Sequence, residues 1–425
     1  MKPTAYKLLF EHNNRNYIIN TYRNSVIEVS KETYELLKNN QCINSDCTEY
    51  QKLCKSGILV SDNLNEYQRI VNNEQAMIFG NHDAIAMVIA PTMKCNYKCS
   101  YCFENYLCER NTMSPQVIED VKRYVISMLK KTRAKSLYME WFGGEPTLAM
   151  DIINGLSNYF IEYCDSNGIK YDSYIVTNSY MITDDMIQDF IKDRISSVKI
   201  TLDGSKEMHL AHKNAPKDAY EKTIENIQKL SKYMHVDVSL NILEENYDIL
   251  YDFIDEIAEY FSGNDNIDIF FAEIYYSDST KEQLSNSKYF EYFGKVCEYI
   301  KSKGMRPNYK NRYCTRGCTL IYKNNAYIDT DGKLYRCERH IGDPKHIIGN
   351  CKAGLFHNEV DNRYTTYNSE RPEKCKTCPI FPMCRSGCAE DILEHRTPRI
   401  KCEQYIQDTI NYYKDTLTDA FPESE

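Results

Sequence analysis

Apolar positions follow two rhythms along this chain. Between residues 84 and 303, short runs of β-branched or apolar residues alternate with stretches of helical period. The runs 84–90, 136–142, 171–177, 197–202, 235–241 and 267–274 read as strands, and most are followed by an amphipathic stretch. Ser114-Pro115 supplies an N-cap and a first-turn proline for the helix after the first run. Thr183-Asp184-Asp185 opens another helix with carboxylates at its positive end. Six βα units imply a parallel sheet, curved into a partial barrel. Such architectures put their chemistry at the C-terminal strand ends.

The flanks read differently. Residues 6–10 and 17–21 look like two strands around a polar turn, 11–16. Ser30 is a plausible N-cap for a helix through Leu37, a short helix over 49–55 ends near Gly57, and Ile58-Leu59-Val60 reads as a strand. This order suggests a small winged-helix-like domain, and an irregular extension of the main domain fits the same pattern. Residues 308–425 are loop-rich and dense in cysteine, with little periodic pattern to bury a core. Bound metal clusters can take that core's place. With 305–313 as a linker, the expected domains are 1–82, 83–305 and 306–425. A length of 425 residues, at about 150 per domain, agrees.

Composition narrows the function classes. Apolar residues make up 42% and charged residues 27%, as in ordinary globular proteins. No run of about 18 apolar residues offers a membrane span, and Met1-Lys2-Pro3-Thr4-Ala5-Tyr6 lacks the apolar core of a signal peptide, so a cytoplasmic location is expected. A net charge of −9 argues against nucleic acid as a partner. Cysteine changes the picture most. There are 18, many in tight clusters, and disulfides do not suit a large chain without a secretion signal. Metal ligation is the better reading.

The first constellation is Cys95-Asn-Tyr-Lys-Cys99-Ser-Tyr-Cys102, just past the first strand. Three thiolates so spaced can hold three irons of a [4Fe–4S] cube and leave the fourth open. A zinc site with a remote fourth ligand is the alternative. One βα unit later comes Gly143-Gly144-Glu145-Pro146. The glycines allow close backbone approach, and the carboxylate can accept from an ammonium group. These residues resemble the CxxxCxxC signature and GGE segment of the radical SAM enzymes. The resemblance implies that the open iron chelates S-adenosylmethionine, whose reductive cleavage yields a 5′-deoxyadenosyl radical. It also implies that Gly143, Gly144 and Glu145 bind the methionine amino group. Thr177-Asn178 and Thr201, Asp203 and Gly204 resemble segments lining the cofactor or substrate; Asp203-Gly204 reads equally as a tight turn. The family often places an Arg about ten residues beyond the Asp-Gly pair. Lys213 stands nearest here and cannot copy a bidentate clamp.

The second constellation runs Cys318, Gly332, Cys337, then Cys375-Lys-Thr-Cys378, Cys384, Cys388 and Cys402, or Cx13Gx4C, a gap, Cx2Cx5Cx3C, a gap, C. Paired zinc sites are the alternative. The pattern resembles the seven-cysteine SPASM domain that follows the barrel in one branch of radical SAM enzymes. That resemblance implies two auxiliary [4Fe–4S] clusters, three in all. Cys318, Cys337 and Cys388 would hold the first, with Cys314 the candidate for its fourth ligand. Cys375, Cys378, Cys384 and Cys402 would hold the second. Cys164 and Cys297, inside helical patterns, read as core residues.

Enzymes with this layout mostly modify peptides or proteins. The long N-terminal stretch resembles leader-recognition elements of peptide maturases, which bind a precursor by strand addition. The expected function is maturation of a ribosomally made peptide through a Cys thioether crosslink. Its partners would be a precursor with a leader sequence and an electron donor such as flavodoxin or ferredoxin. Formylglycine formation in a sulfatase, carbon–carbon crosslinking, epimerisation and a zinc-binding interaction protein are the alternatives. Glu338 follows Cys337 where sulfatase maturases typically carry an Asp proposed as a base. It is the candidate catalytic residue, or else a solvated charge beside Arg336 and Arg339.

Overall fold

The computed structural model describes residues 1–80, 83–102, 104, 111–242, 249–273, 286–308, 318, 321–394 and 402–420. They divide into two compact units. One comprises residues 1–76, 309–318 and 366–425, the other residues 77–308 and 319–365.

The first unit opens with β1 (Lys2–Pro3), β2 (Lys7–His12), β3 (Arg15–Asn20), β4 (Ser25–Val29), α1 (Lys31–Lys38), α2 (Tyr50–Ser56), β5 (Leu59–Val60) and most of α3 (Glu66–Phe79). Strands β2, β3 and β4 form an antiparallel sheet, and β1 pairs with β5. Asn13 and Asn14 both have left-handed φ, 47° and 56°, which suits a two-residue hairpin turn. The strands therefore run on to His12 and Arg15, and the expected six-residue turn shrinks to two. Ser30 caps α1 by accepting from Thr33 N, and Gly57 ends α2 at φ 76°. One face of the hairpin, Leu8, Phe10, Tyr17 and Ile19, buries Ile380, Met383, Tyr405 and Tyr413. N-terminal strands and C-terminal cysteine region thus share one core.

The second unit is built on a strand–helix alternation: β6 (Ala84–Ile89), α4 (Pro115–Thr132), β7 (Ser136–Trp141), α5 (Met150–Ser166), β8 (Lys170–Thr177), α6 (Asp184–Lys192), β9 (Ile195–Leu202), α7 (Lys206–Lys213), α8 (Ala219–Leu230), β10 (His235–Ile242), α9 (Leu250–Phe261), β11 (Ile267–Glu273) and α10 (Asn286–Ser302). β6 to β11 lie side by side in sequence order, all parallel. This is the partial (β/α)6 barrel. Ser114 and Thr183 cap α4 and α6 as expected, accepting from Val117 N and Met186 N. β12 (Arg306–Pro307) extends the sheet beside β11. β13 (Ala326–Ile328) joins it parallel to β6, and β14 (Lys333–Tyr335), β15 (Gly349–Asn350) and β16 (Gly354–Leu355) follow antiparallel. The Gly of the Cx13Gx4C run, Gly332, turns the β13–β14 hairpin at φ 75°. Cys164 and Cys297 are buried core residues. Later helices include α11 (Glu359–Thr365) here and α12 (Phe381–Cys384), α13 (Ala389–Leu393) and α14 (Cys402–Ala420) in the first unit. Among the described residues no helix is long and apolar enough to cross a membrane.

Candidate metal and cofactor site

The cysteine triplet sits on the loop leaving β6, stacked on the loop leaving β7. Gly144 N donates to Thr92 O at 3.1 Å and Glu145 N to Lys94 O at 2.8 Å. A Cβ on Gly144 would lie 2.4 Å from Lys94 O and 2.6 Å from Met93 O; one on Gly143, at φ 109°, would lie 2.5 Å from Thr92 O. The glycine pair is thus what lets the two loops approach. Cys95, Cys99 and Cys102 are partly buried. Burial raises the Cys95 thiol to about 12, and Glu145, Cys99 and Cys102 stand close enough to add to it. Burial also raises Cys99, which Lys213 opposes.

Glu145 organises the next layer. Its Oε1 accepts from Thr147 N (3.1 Å), Thr147 Oγ1 (2.6 Å) and Thr177 Oγ1 (2.6 Å), and its Oε2 from Asn178 N (2.7 Å). Burial raises its carboxyl against those donors. Asn178 Nδ2 then donates to Asn96 Oδ1, inside the cysteine loop, at 2.7 Å. Asp203, fully buried at the end of β9, accepts from Tyr101 OH at 2.5 Å, and Asn241 Nδ2 donates to the same hydroxyl at 3.3 Å. Lys213 Nζ lies 3.9 Å from Asp203 Oδ1. Thr201, opposite Ser239 on β10, faces away from buried Ile200 and Leu202.

Several buried polar atoms here have no hydrogen-bond partner among the described residues: Asn96 Nδ2, Asp203 Oδ1, His209 Nε2 and His212 Nδ1. Unmatched donors and acceptors beside three converging thiols fit a polar ligand next to a metal cluster. Asn96, Asn241 and His209 escaped the sequence reading. Asn241 ends β10, so the strand-end rule could have found it; nothing in the pattern marks His209.

Below this layer the inner face of the sheet is polar. Tyr174 OH donates to Glu140 Oε1 at 2.9 Å, and Lys199 on β9 reaches past β10 to lie 5.2 Å over the Phe270 ring. Burial and the nearness of Glu338 raise Glu140 to about 7 and Glu104 to about 8. Glu338 itself is partly buried and raised by burial, against Arg339 and Lys199. Arg336 is not its surface neighbour: fully buried, it donates to Asp361 Oδ1 at 2.8 Å and to the carbonyls of Tyr322 and Asn325 at 2.6 Å.

In the other unit Cys375, Cys378, Cys384 and Cys402 converge. A hydrogen bond between Cys378 and Cys402 pushes the first thiol up and draws the second down. Cys384 is raised by burial and feels both Cys402 and Cys375. Four thiols on one unit suit a cluster or a metal ion. Cys318 and Cys388 are exposed in this unit, while Cys337 follows β14 in the barrel unit. Cys314 lies outside the described residues.

Residues 89–257 match the radical SAM superfamily. The chain carries a radical SAM domain. It is a radical SAM enzyme, with a [4Fe–4S] cluster and S-adenosylmethionine as cofactors. A cysteine-type anaerobic sulfatase-maturating enzyme of Clostridium novyi is 24% identical over 72% of this chain and 88% of its own. Among solved structures, anSMEcpe with bound AdoMet and a peptide aligns at TM-score 0.62, 18% identical, over 79% of this chain and 99% of that one. Streptococcus suis SuiB bound to precursor peptide SuiA aligns at TM-score 0.55, 16% identical, over 94% of this chain and 99% of that one. Both solved structures share the fold of this chain.

Proposed function

We propose that this radical SAM enzyme matures a ribosomally made precursor peptide, joining a cysteine sulfur to a carbon as a thioether. The observation that supports the precursor-peptide part of this reading is coverage. The similarity to a precursor-bound enzyme spans 94% of the chain, against 79% for anSMEcpe, so it takes in more of the chain. Among the described residues β4 pairs with β3 alone, leaving a strand edge on which an extended peptide could add.

The bound cofactors supply a 5′-deoxyadenosyl radical that takes a hydrogen atom from the substrate. Cys95, Cys99 and Cys102 would hold the cluster, and Glu145 would face the methionine ammonium through Oε2, which has one protein donor among the described residues. Thr177, Asn178, Thr201, Asp203 and Lys213 would line the cofactor. Glu338, with Glu140 and Tyr174 beside it, would take the proton lost as the new bond forms, and the one electron released with it would pass to an auxiliary cluster. Cys375, Cys378, Cys384 and Cys402 would hold one auxiliary cluster; for another, the cysteine spacing of the sequence alone offers Cys318, Cys337 and Cys388, with Cys314. An electron donor such as flavodoxin or ferredoxin would reduce the enzyme. A cytoplasmic location fits oxygen-sensitive clusters.

Formylglycine formation is the second reading, favoured by similarity to sulfatase-maturating enzymes. One assay separates the two. The anaerobically reconstituted enzyme is incubated with S-adenosylmethionine, dithionite and a cysteine-containing candidate precursor peptide. A thioether consumes one alkylatable thiol, removes two hydrogens and gives no carbonyl. A product that reacts with a hydrazide probe would replace this proposal with formylglycine chemistry.

A further inference from the structure

Lys213 ends α7 with a side chain only 3% exposed. Its main chain fixes the approach to the cysteine loop. Lys98 N donates to Lys213 O at 3.1 Å and Ser100 N to His212 O at 2.8 Å, so two carbonyls of α7 straddle Cys99. The ammonium is 3.9 Å from Asp203 Oδ1, which accepts no hydrogen bond among the described residues, while Asp203 Oδ2 is already taken by Tyr101. The other titratable neighbours are His212 and His209. Burial, with Lys213 and His212 beside it, lowers His209 to about 2, so it adds no positive charge. Lys213 is therefore a buried cation, loosely held by its carboxylate, on the Cys99 side of the cluster site.

We propose that Lys213 is an electrostatic positioning residue for the cluster itself: its ammonium favours the reduced state, whether or not it also touches S-adenosylmethionine. The inference rests on the radical SAM assignment of Cys95, Cys99 and Cys102. A [4Fe–4S]²⁺ cube on three thiolates is already anionic, and one electron from an external reductant makes it [4Fe–4S]⁺ and more negative. A nearby cation away from water stabilises the more negative state preferentially. The lysine that stands in for the family's arginine thus tunes how readily the cluster accepts its electron.

The test is an EPR-monitored redox titration of the full-length holoenzyme with dithionite, without S-adenosylmethionine. The relevant signal is the one that disappears when Cys95, Cys99 and Cys102 are all changed to Ala. Lys213→Met and Lys213→Gln should lower the reduced-to-oxidised ratio at fixed potential about tenfold, about 59 mV for one electron. Lys213→Arg should restore it. The loop anchoring is main-chain and survives all three. If both neutral variants titrate as the wild type does, the proposal is overturned. If no signal of the wild type depends on the triplet, the radical SAM assignment falls, and this inference with it.

Discussion

Two buried carboxylates show how environment sorts residues of one type. Glu145 receives four donors from Thr147, Thr177 and Asn178, so its burial is matched. Asp193, 2% exposed at the end of α6, has an Oδ2 with no partner among the described residues. Burial and nearby Asp189 raise it from 3.8 to about 7. Between those values the folded chain keeps a proton that the unfolded chain has lost. The unfolded state binds fewer protons, so this residue's contribution is full below about pH 4 and is lost as pH rises through about 7. The ceiling on that loss is about 4 kcal/mol. Urea unfolding of Asp193→Asn should therefore show a flatter decline of stability from pH 4 to pH 7 than the wild type. Parallel curves would mean that Asp193 ionises in the folded protein as it does unfolded.

At the scale of elements, the barrel was legible and its trimmings were not. The six long strands carry alternating or continuous apolar patterns, and the caps Ser30, Ser114 and Thr183 lie where short polar side chains can meet orphan N–H groups. β13 to β16 are two or three residues each, too short for any periodic signal, and they gain their order from pairing to β6 and to each other. The candidate ligands were legible and their surroundings were not. Cysteine spacing marks itself, whereas Glu140, Lys199 and Tyr174 are ordinary alternating polar positions until the sheet curves them together. The exposed β4 edge makes its own prediction. Lys52 Nζ donates to Glu28 O at 2.6 Å, so the carbonyl of Glu28, and with it the N–H of the same residue, faces away from β3. Glu28→Pro removes an outward N–H without touching the ladder. It should weaken binding of the precursor peptide about tenfold, the worth of one hydrogen bond, relative to Glu28→Ala. Equal affinities by calorimetry would remove β4 as the docking edge.

Across the whole chain, the sequence order misleads about what folds with what. The N-terminal strands and the last cysteines are separated by the entire barrel, yet they form one unit. Tyr6, Ile70, Cys375 and Phe381 share a buried cluster, and Thr21 Oγ1 donates to Pro379 O at 2.5 Å. Arg371 donates to Glu74 Oε1 at 2.7 Å, and Tyr367 OH does so at 2.8 Å. The region 366–394 consists of turns and helices of seven residues or fewer, so it has little regular structure to hold these groups in place. A cluster on Cys375, Cys378, Cys384 and Cys402 would cross-link it, and the N-terminal strands would inherit that stability. Changing all four cysteines to Ser should therefore raise amide exchange across residues 1–76 as well as 366–394. Exchange in β6 to β9 of the barrel should stay as it was, and S-adenosylmethionine should still bind. If the N-terminal strands keep wild-type protection after the four cysteines are lost, their core stands without the metal, and the two ends of the chain are neighbours without being energetically coupled.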